Sequence, residues 1–271
     1  MKQHMKQGWR LAIRHFYIVI LLFLYQLLWG LFLYRFVDMT VLPLLRRFPL
    51  QHPSDSAVSL FFSEAQFQLT KTDLINPYLW LLGGLFAARM LLTPLFNAGL
   101  LYSLHHMGEI GETQFLQGIR KAWKPVTLLY WLRTLLIFAP GWFLLPRAFK
   151  LLMEGHSLGE LLQGTLPGFG GWLLWSFLVH LLLLAMQFGA ASGTGSLRWL
   201  GHALRNLFPY AGISLLMWLL AIAASLCVSG LSYAWAGMLA LIMHQAYHLL
   251  RTLLKVWTLA AQYDCLQSKQ S

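Results

Sequence analysis

The sequence predicts an all-α, polytopic membrane protein: six transmembrane helices forming three parallel two-helix repeats, each preceded by a basic interfacial helix. Three observations predict it. Of 271 residues, 58% are hydrophobic and only 11% are charged, whereas a soluble domain carries about 25% charged residues to solvate its surface. Six apolar stretches approach or exceed the roughly 20 residues that a bilayer-crossing helix needs. A short basic pattern also recurs ahead of the first, third and fifth stretches. The mean hydropathy of +0.59 excludes a disordered chain, which requires low hydrophobicity.

The chain opens with Lys2, Lys6, Arg10 and Arg14 at every fourth position, facing away from Met5, Trp9 and Ile13. That spacing describes an amphipathic helix lying in the membrane interface, apolar face down. The first span, 16–34, follows. It runs through Trp29-Gly30-Leu31-Phe32-Leu33-Tyr34-Arg35 without the small-residue cleavage pattern of a signal peptide, so the helix is expected to be retained.

The second span, 78–102, contains Gly83-Gly84, where a neighbouring backbone can approach closely, then Arg89, Thr93, Pro94 and Asn97 on a nearby face. Before the third span, 126–145, Gln117, Lys121 and Lys124 lie opposite Phe115, Leu116, Ile119 and Trp123. The fourth, 172–188, leads into Gly189-Ala190-Ala191-Ser192-Gly193, a small-residue stretch suited to close helix packing. Arg198, His202 and Arg205, set against Leu197, Leu200, Ala203, Leu204 and Leu207, precede the fifth span, 210–229. The sixth, 234–261, follows as a hairpin.

The long connections 35–77 and 141–171 contain Ser63-Glu64-Ala65-Gln66 and Ser157-Leu158-Gly159-Glu160. Both fit a capping box, which predicts short surface helices. No Gly/Ser linker or charge block divides the chain, so residues 1–271 are expected to form one integral membrane domain.

The recurring pattern is an aliphatic residue, Arg, two variable positions and an aromatic. Its copies are Ile13-Arg14-His15-Phe16-Tyr17, Ile119-Arg120-Lys121-Ala122-Trp123 and Leu204-Arg205-Asn206-Leu207-Phe208, with arginines 106 and 85 residues apart. Pro125 and Pro209 mark the later two junctions. Each unit crosses twice, so the copies share one orientation and would be related by an axis along the membrane normal.

Short-loop Lys and Arg set topology. Twelve basic residues fall on the side of the termini and six on the other, while acids run three against six. Both termini are therefore expected in the cytoplasm, at the cytoplasmic (inner) membrane. Trp9, Tyr17, Tyr34, Tyr78, Trp80, Trp123, Trp142, Trp172, Tyr210, Trp235 and Tyr263 lie near the expected borders, where an aromatic belt sits at headgroup level. Cys227 lies in an apolar run and Cys265 in a polar tail; the expectation is one buried and one free thiol.

Ionisable groups within spans are the default site candidates. Arg89 lies roughly 16 Å into its span by helix rise. With Asn97, Arg133, His180, His244, His248 and Arg251, it is a candidate lining residue of a polar cleft. No expected span interior holds Asp or Glu, so these cations must find carbonyls, water or an anion such as a lipid phosphate. Arg10, Arg14, Arg120, Lys121, Lys124, Arg198 and Arg205 are candidate headgroup contacts in a basic cytoplasmic collar, each contributing about 1 kcal/mol near an anionic leaflet.

Enzyme motifs are missing. Ala190-Ala191-Ser192-Gly193 lacks the first glycine of the rhomboid-type serine motif, and its serine lies at one end of a span. No zinc-protease helix, nucleotide-binding glycine loop or paired carboxylate occurs. No catalytic residue, metal or cofactor is assigned, and the +11 net charge reads as a membrane-surface feature rather than a nucleic-acid footprint.

The repeated basic helix with its aromatic, and the run Asn97-Ala98-Gly99-Leu100-Leu101-Tyr102 leading to Gly111-Glu112, resemble poorly characterised bacterial multi-pass proteins. That group includes the membrane domain fused to some glycerophosphodiester phosphodiesterases. The resemblance covers most of the chain as a pattern and implies a bacterial inner-membrane module. This chain has no room for the phosphodiesterase domain, so that activity is not implied.

The favoured reading is a non-enzymatic membrane protein: a lipid- or anion-handling or partner-binding module whose expected partners are anionic lipid headgroups and a membrane protein partner or a second copy of the chain (homo-oligomer). A small transporter or channel subunit is the first alternative. A membrane enzyme using His180, His244 or His248 as base is the second.

Overall fold

A computed structural model describes residues 2–14, 16–45, 63, 76–106, 113–153, 158–234 and 238–268. These residues are almost wholly helical, with no strand among them. In chain order the helices are α1 (Lys2–Arg14), α2 (Phe16–Leu45), α3 (Asn76–His105), α4 (Thr113–Phe138), α5 (Gly141–Met153), α6 (Leu158–Ser192), α7 (Ser196–Arg205), α8 (Leu207–Ala234) and α9 (Met238–Gln267).

Among the described residues, five segments are long and apolar enough to cross a membrane: Phe16–Met39, Asn76–His105, Gln114–Arg147, Thr165–Ser192 and Leu207–Leu231. Many large apolar side chains stay exposed along them, including Leu31, Trp80, Phe86, Leu128, Leu173 and Trp218. Such a surface suits hydrocarbon rather than water, and the chain is a membrane protein. α9, the expected sixth span, is not among the five. His244, Gln245, His248, Arg251 and Lys255 interrupt its apolar run.

The helices depart from the expected boundaries where backbone chemistry decides. α2 continues past residue 34 through Arg35 and Asp38, so this apolar helix includes one carboxylate. The second basic segment and the third span form one helix, α4, with Pro125 inside it. The first and third basic segments are separate helices, α1 and α7. The third span breaks at Ala139-Pro140, and α5 begins at Gly141. Residues 158–171 join the fourth span in the 35-residue α6, which contains Pro167. The residues opening both expected capping boxes fall at or beyond the edge of the description: Ser63 stands alone, and Glu64–Gln66 and Ser157 lie outside it.

The chain divides into two compact units, Met1–Val19 with Pro94–Ser271, and Ile20–Thr93. Within the smaller unit, the Tyr25 hydroxyl and Thr93 Oγ1 are 3.0 Å apart, and Thr93 Oγ1 donates to the Arg89 carbonyl at 2.6 Å. Tyr25, Trp29 and Phe32 line one side of α2. A Cβ added at Gly83 or Gly84 would meet nothing within 4 Å, so this pair does not serve the expected close approach.

The larger unit is built by helices meeting at small residues. α1 lies on α9, where a Cβ at Gly8 would stand 2.7 Å from the Ala261 backbone nitrogen. The Trp257 indole donates to the Met5 carbonyl at 2.9 Å, and His4 Nδ1 donates to Asp264 Oδ2 at 2.8 Å. α8 meets α9 through Ile213, Met217, Ala261 and Cys265. α4 meets α6 through Leu129, Val179 and Leu183.

α7 folds back onto α6 through a turn in which Gly193 and Gly195 adopt φ of 70° and 101°, a region that favours glycine. Gly189 packs closely, its would-be Cβ 2.9 Å from the Gly195 carbonyl oxygen and Trp199. Of the two glycines expected to pack, Gly193 instead makes the turn.

Two further expectations reverse. Cys265 is buried and Cys227 exposed, because Cys265 falls one turn after Ala261 on the inward face of α9. Tyr210 and Tyr263 are 0% and 1% exposed, so they belong to the core rather than to a lipid-facing belt. Trp80 and Trp142, each 81% exposed, suit the belt.

Candidate functional site

α4 carries Arg133 and α6 carries His180, and the Leu129–Val179–Leu183 contact holds their helices together. Arg133 Nη1 donates to His180 Nδ1 across 3.4 Å. A guanidinium has no acceptor, so Nδ1 must be unprotonated and Nε2 carries the imidazole proton. The other partner of Arg133 is the Tyr130 ring, whose centroid lies 5.0 Å from the guanidinium carbon. Lys255 on α9 adds a positive field at His180.

No carboxylate pairs with Arg133 among the described residues. Arg133 is half-buried, and His180 is exposed at the surface of α6. No further hydrogen bond to the guanidinium donors or to His180 Nε2–H occurs among the described residues. A phosphate or carboxylate matches such a fork with two parallel charge-assisted bonds.

The remaining cleft candidates are distributed differently. Asn97 is half-buried on α3, while His248 and Arg251 are exposed on α9. No contact among the described residues joins Asn97 or Arg251 to the Arg133–His180 pair. The His244 side chain lies outside the described residues. Arg89 belongs to the smaller unit, where its side chain is exposed and its carbonyl accepts from Thr93.

Each basic segment has three faces rather than two. A packed face carries a small residue two positions before the repeated arginine: Ala12 and Ala203 are fully buried, and a Cβ at Gly118 would stand 2.5 Å from Tyr102 Cβ. An apolar face stays exposed through Ile13, through Leu116 and Trp123, and through Leu197 and Leu204. The third face presents Arg10 and Arg14, Arg120, Lys121 and Lys124, or Arg198 and Arg205, all exposed. Lys121 Nζ also stands 5.9 Å over the Tyr102 ring, and Lys124 Nζ 5.8 Å over Trp123.

Sequence reasoning missed three features. The first is that buried small residue, legible as Ala-Ile-Arg, Gly-Ile-Arg and Ala-Leu-Arg ending at Arg14, Arg120 and Arg205. The second is the repeated string Leu184-Ala185-Met186-Gln187-Phe188 and Leu259-Ala260-Ala261-Gln262-Tyr263. Its glutamines are 1% and 3% exposed, and Gln262 Nε2 donates to Ser214 Oγ at 2.6 Å. Its aromatics meet with centroids 5.4 Å apart. Trp199 stacks on Tyr263 at 5.6 Å, and the Tyr263 hydroxyl shares a 2.6 Å hydrogen bond with His105 Nδ1. Burial, then the adjacent Asp264 charge, pushes the Tyr263 phenol up to about 12.

The third feature is a pair of indole caps. Trp172 Nε1 donates to the Ile137 carbonyl at 2.7 Å and Trp175 Nε1 to the Leu136 carbonyl at 2.9 Å. These acceptors lie in the last turn of α4, where carbonyls lack helical partners.

No family model, curated protein or solved structure matches the chain.

Proposed function

We propose that this chain is a non-enzymatic, multi-pass protein of the bacterial inner membrane that binds anionic lipid phosphate. Six spans would form three parallel repeats, α9 serving as the sixth, with both termini and the basic collar in the cytoplasm. The observation that carries the function is the Arg133–His180 pair: a guanidinium and an imidazole N–H placed together without a carboxylate partner among the described residues.

The packing order supports the repeats. The basic half of α4 packs on α3, where a Cβ at Gly99 would stand 2.7 Å from the Phe115 ring. α7 packs on α6, and α1 packs on α9. Each basic segment thus meets the closing helix of the unit before it, and the first segment meets that of the last. The exposed Ile13, Leu116 and Leu197, beside their basic faces, support contact with an anionic leaflet.

The test uses the purified full-length protein in neutral detergent, titrated with phosphatidylglycerol or phosphatidylcholine while thermal unfolding and bound lipid are followed. Phosphatidylglycerol should bind and stabilise more strongly. Arg133→Gln should weaken one bound lipid by about tenfold or more, the size expected from losing a charge-assisted bond. Equal response to both lipids, or an Arg133→Gln protein that binds as the parent does, would overturn the reading.

A further inference from the structure

A hollow of about 310 Å³ lies at the junction of α1 and α9, lined by Met5, Lys6, Trp9 and Trp257. It lies apart from Arg133 in the chain and has a different composition. The indoles of Trp9 and Trp257 meet at 64° with centroids 4.8 Å apart. The Trp257 N–H and the Met5 carbonyl bond each other, so what these two residues offer a ligand is ring face and thioether. Lys6 is exposed and one helical turn from exposed Arg10, on the same side of α1. No hydrogen bond or ion pair to Lys6 occurs among the described residues.

The hollow therefore joins an apolar floor to a cationic rim. A cation is repelled by Lys6 and Arg10, and a purely polar anion leaves the indole faces unused. An amphiphile with a negative headgroup satisfies both parts. α1 immediately precedes an apolar helix, which suits a position at headgroup level.

We propose that the Met5–Lys6–Trp9–Trp257 hollow is a discrete binding site for one anionic phospholipid, its phosphate on Lys6 and Arg10 and its acyl chain against the indoles. The inference deepens the lipid-binding reading above and rests on it for the identity of the ligand class, but uses different residues.

Native mass spectrometry of the full-length protein in neutral detergent, with phosphatidylglycerol added, tests it. Lys6→Glu should lose one phosphatidylglycerol with affinity reduced about tenfold or more, and Trp9→Ala should weaken the same adduct. Arg133→Gln should retain it. Lys6→Gln, which removes the charge without inverting it, decides the matter should Lys6→Glu unfold. Parent-like binding by the folded Lys6 variants overturns the site. So does equal retention of phosphatidylcholine, or displacement of the lipid by inorganic phosphate alone, which would assign the hollow to a free anion. If only the Arg133→Gln adduct is lost, the hollow fails and the Arg133 site stands; the converse loss separates them the other way.

Discussion

The indole of Trp175 donates to the carbonyl of Leu136, the acceptor that Pro140, four residues further on, has no N–H to reach. Trp172 serves Ile137 in the same way. An exposed carbonyl at a helix end is harmless in water but costly in hydrocarbon, so a proline break here needs donors from a neighbouring helix. The tryptophans of α6 thus fix where α4 ends as well as filling space.

Trp175→Phe keeps an aromatic ring, though a smaller one, but removes the donor, and should lower stability by about 1–3 kcal/mol. Pro140→Ala restores a backbone N–H to the same carbonyl. In the Pro140→Ala background the Trp175→Phe loss should shrink, a coupling that a double-mutant cycle of unfolding free energies reads directly. Additive effects would remove the capping role.

Glycine substitutions should divide by location. Gly8→Ala, Gly118→Ala and Gly189→Ala each place a Cβ within 3.0 Å of another atom, and should destabilise by about 1–3 kcal/mol through overpacking. Gly83→Ala and Gly84→Ala meet nothing within 4 Å and should be neutral or stabilising by up to about 1 kcal/mol through helix propensity. Thermal unfolding of the five variants provides the comparison.

Tyr263 sets an alkaline limit. Its phenol is pushed up to about 12 by burial, then by Asp264, against an unfolded value of about 10. The neutral form is favoured in the folded state, so this contribution is complete below about pH 10 and declines as pH rises from about 10 to 12. Over that window it amounts to about 2–3 kcal/mol. Tyr263→Phe should be less stable near neutrality, having lost the bond to His105, and should show a shallower alkaline decline. Equal slopes would refute the linkage.

The proposed orientation has a direct readout. With Cys227 and Cys265 replaced, Arg198→Cys should be shielded from an impermeant maleimide in intact cells and labelled after permeabilisation. Arg147→Cys should be labelled in both. The reverse pattern would place the collar outside.

Two kinds of information decided this molecule. By itself, the sequence determined that the chain is helical and membrane-embedded, because scarce charge and long apolar runs act additively along the chain. It also showed the basic segments, whose four-residue spacing is local. The tertiary structure decided which polar groups meet. Arg133 and His180 are 47 residues apart and pair because their helices pack, while Arg89 falls in the smaller unit. The structure also separated Cys265 from Cys227 and the core tyrosines from the exposed tryptophans. In an apolar chain nearly every helix face is hydrophobic, so composition cannot distinguish the face that meets lipid from the one that meets protein. Small residues such as Gly8, Gly118 and Gly189 make that distinction, by permitting close contact only where another helix is present.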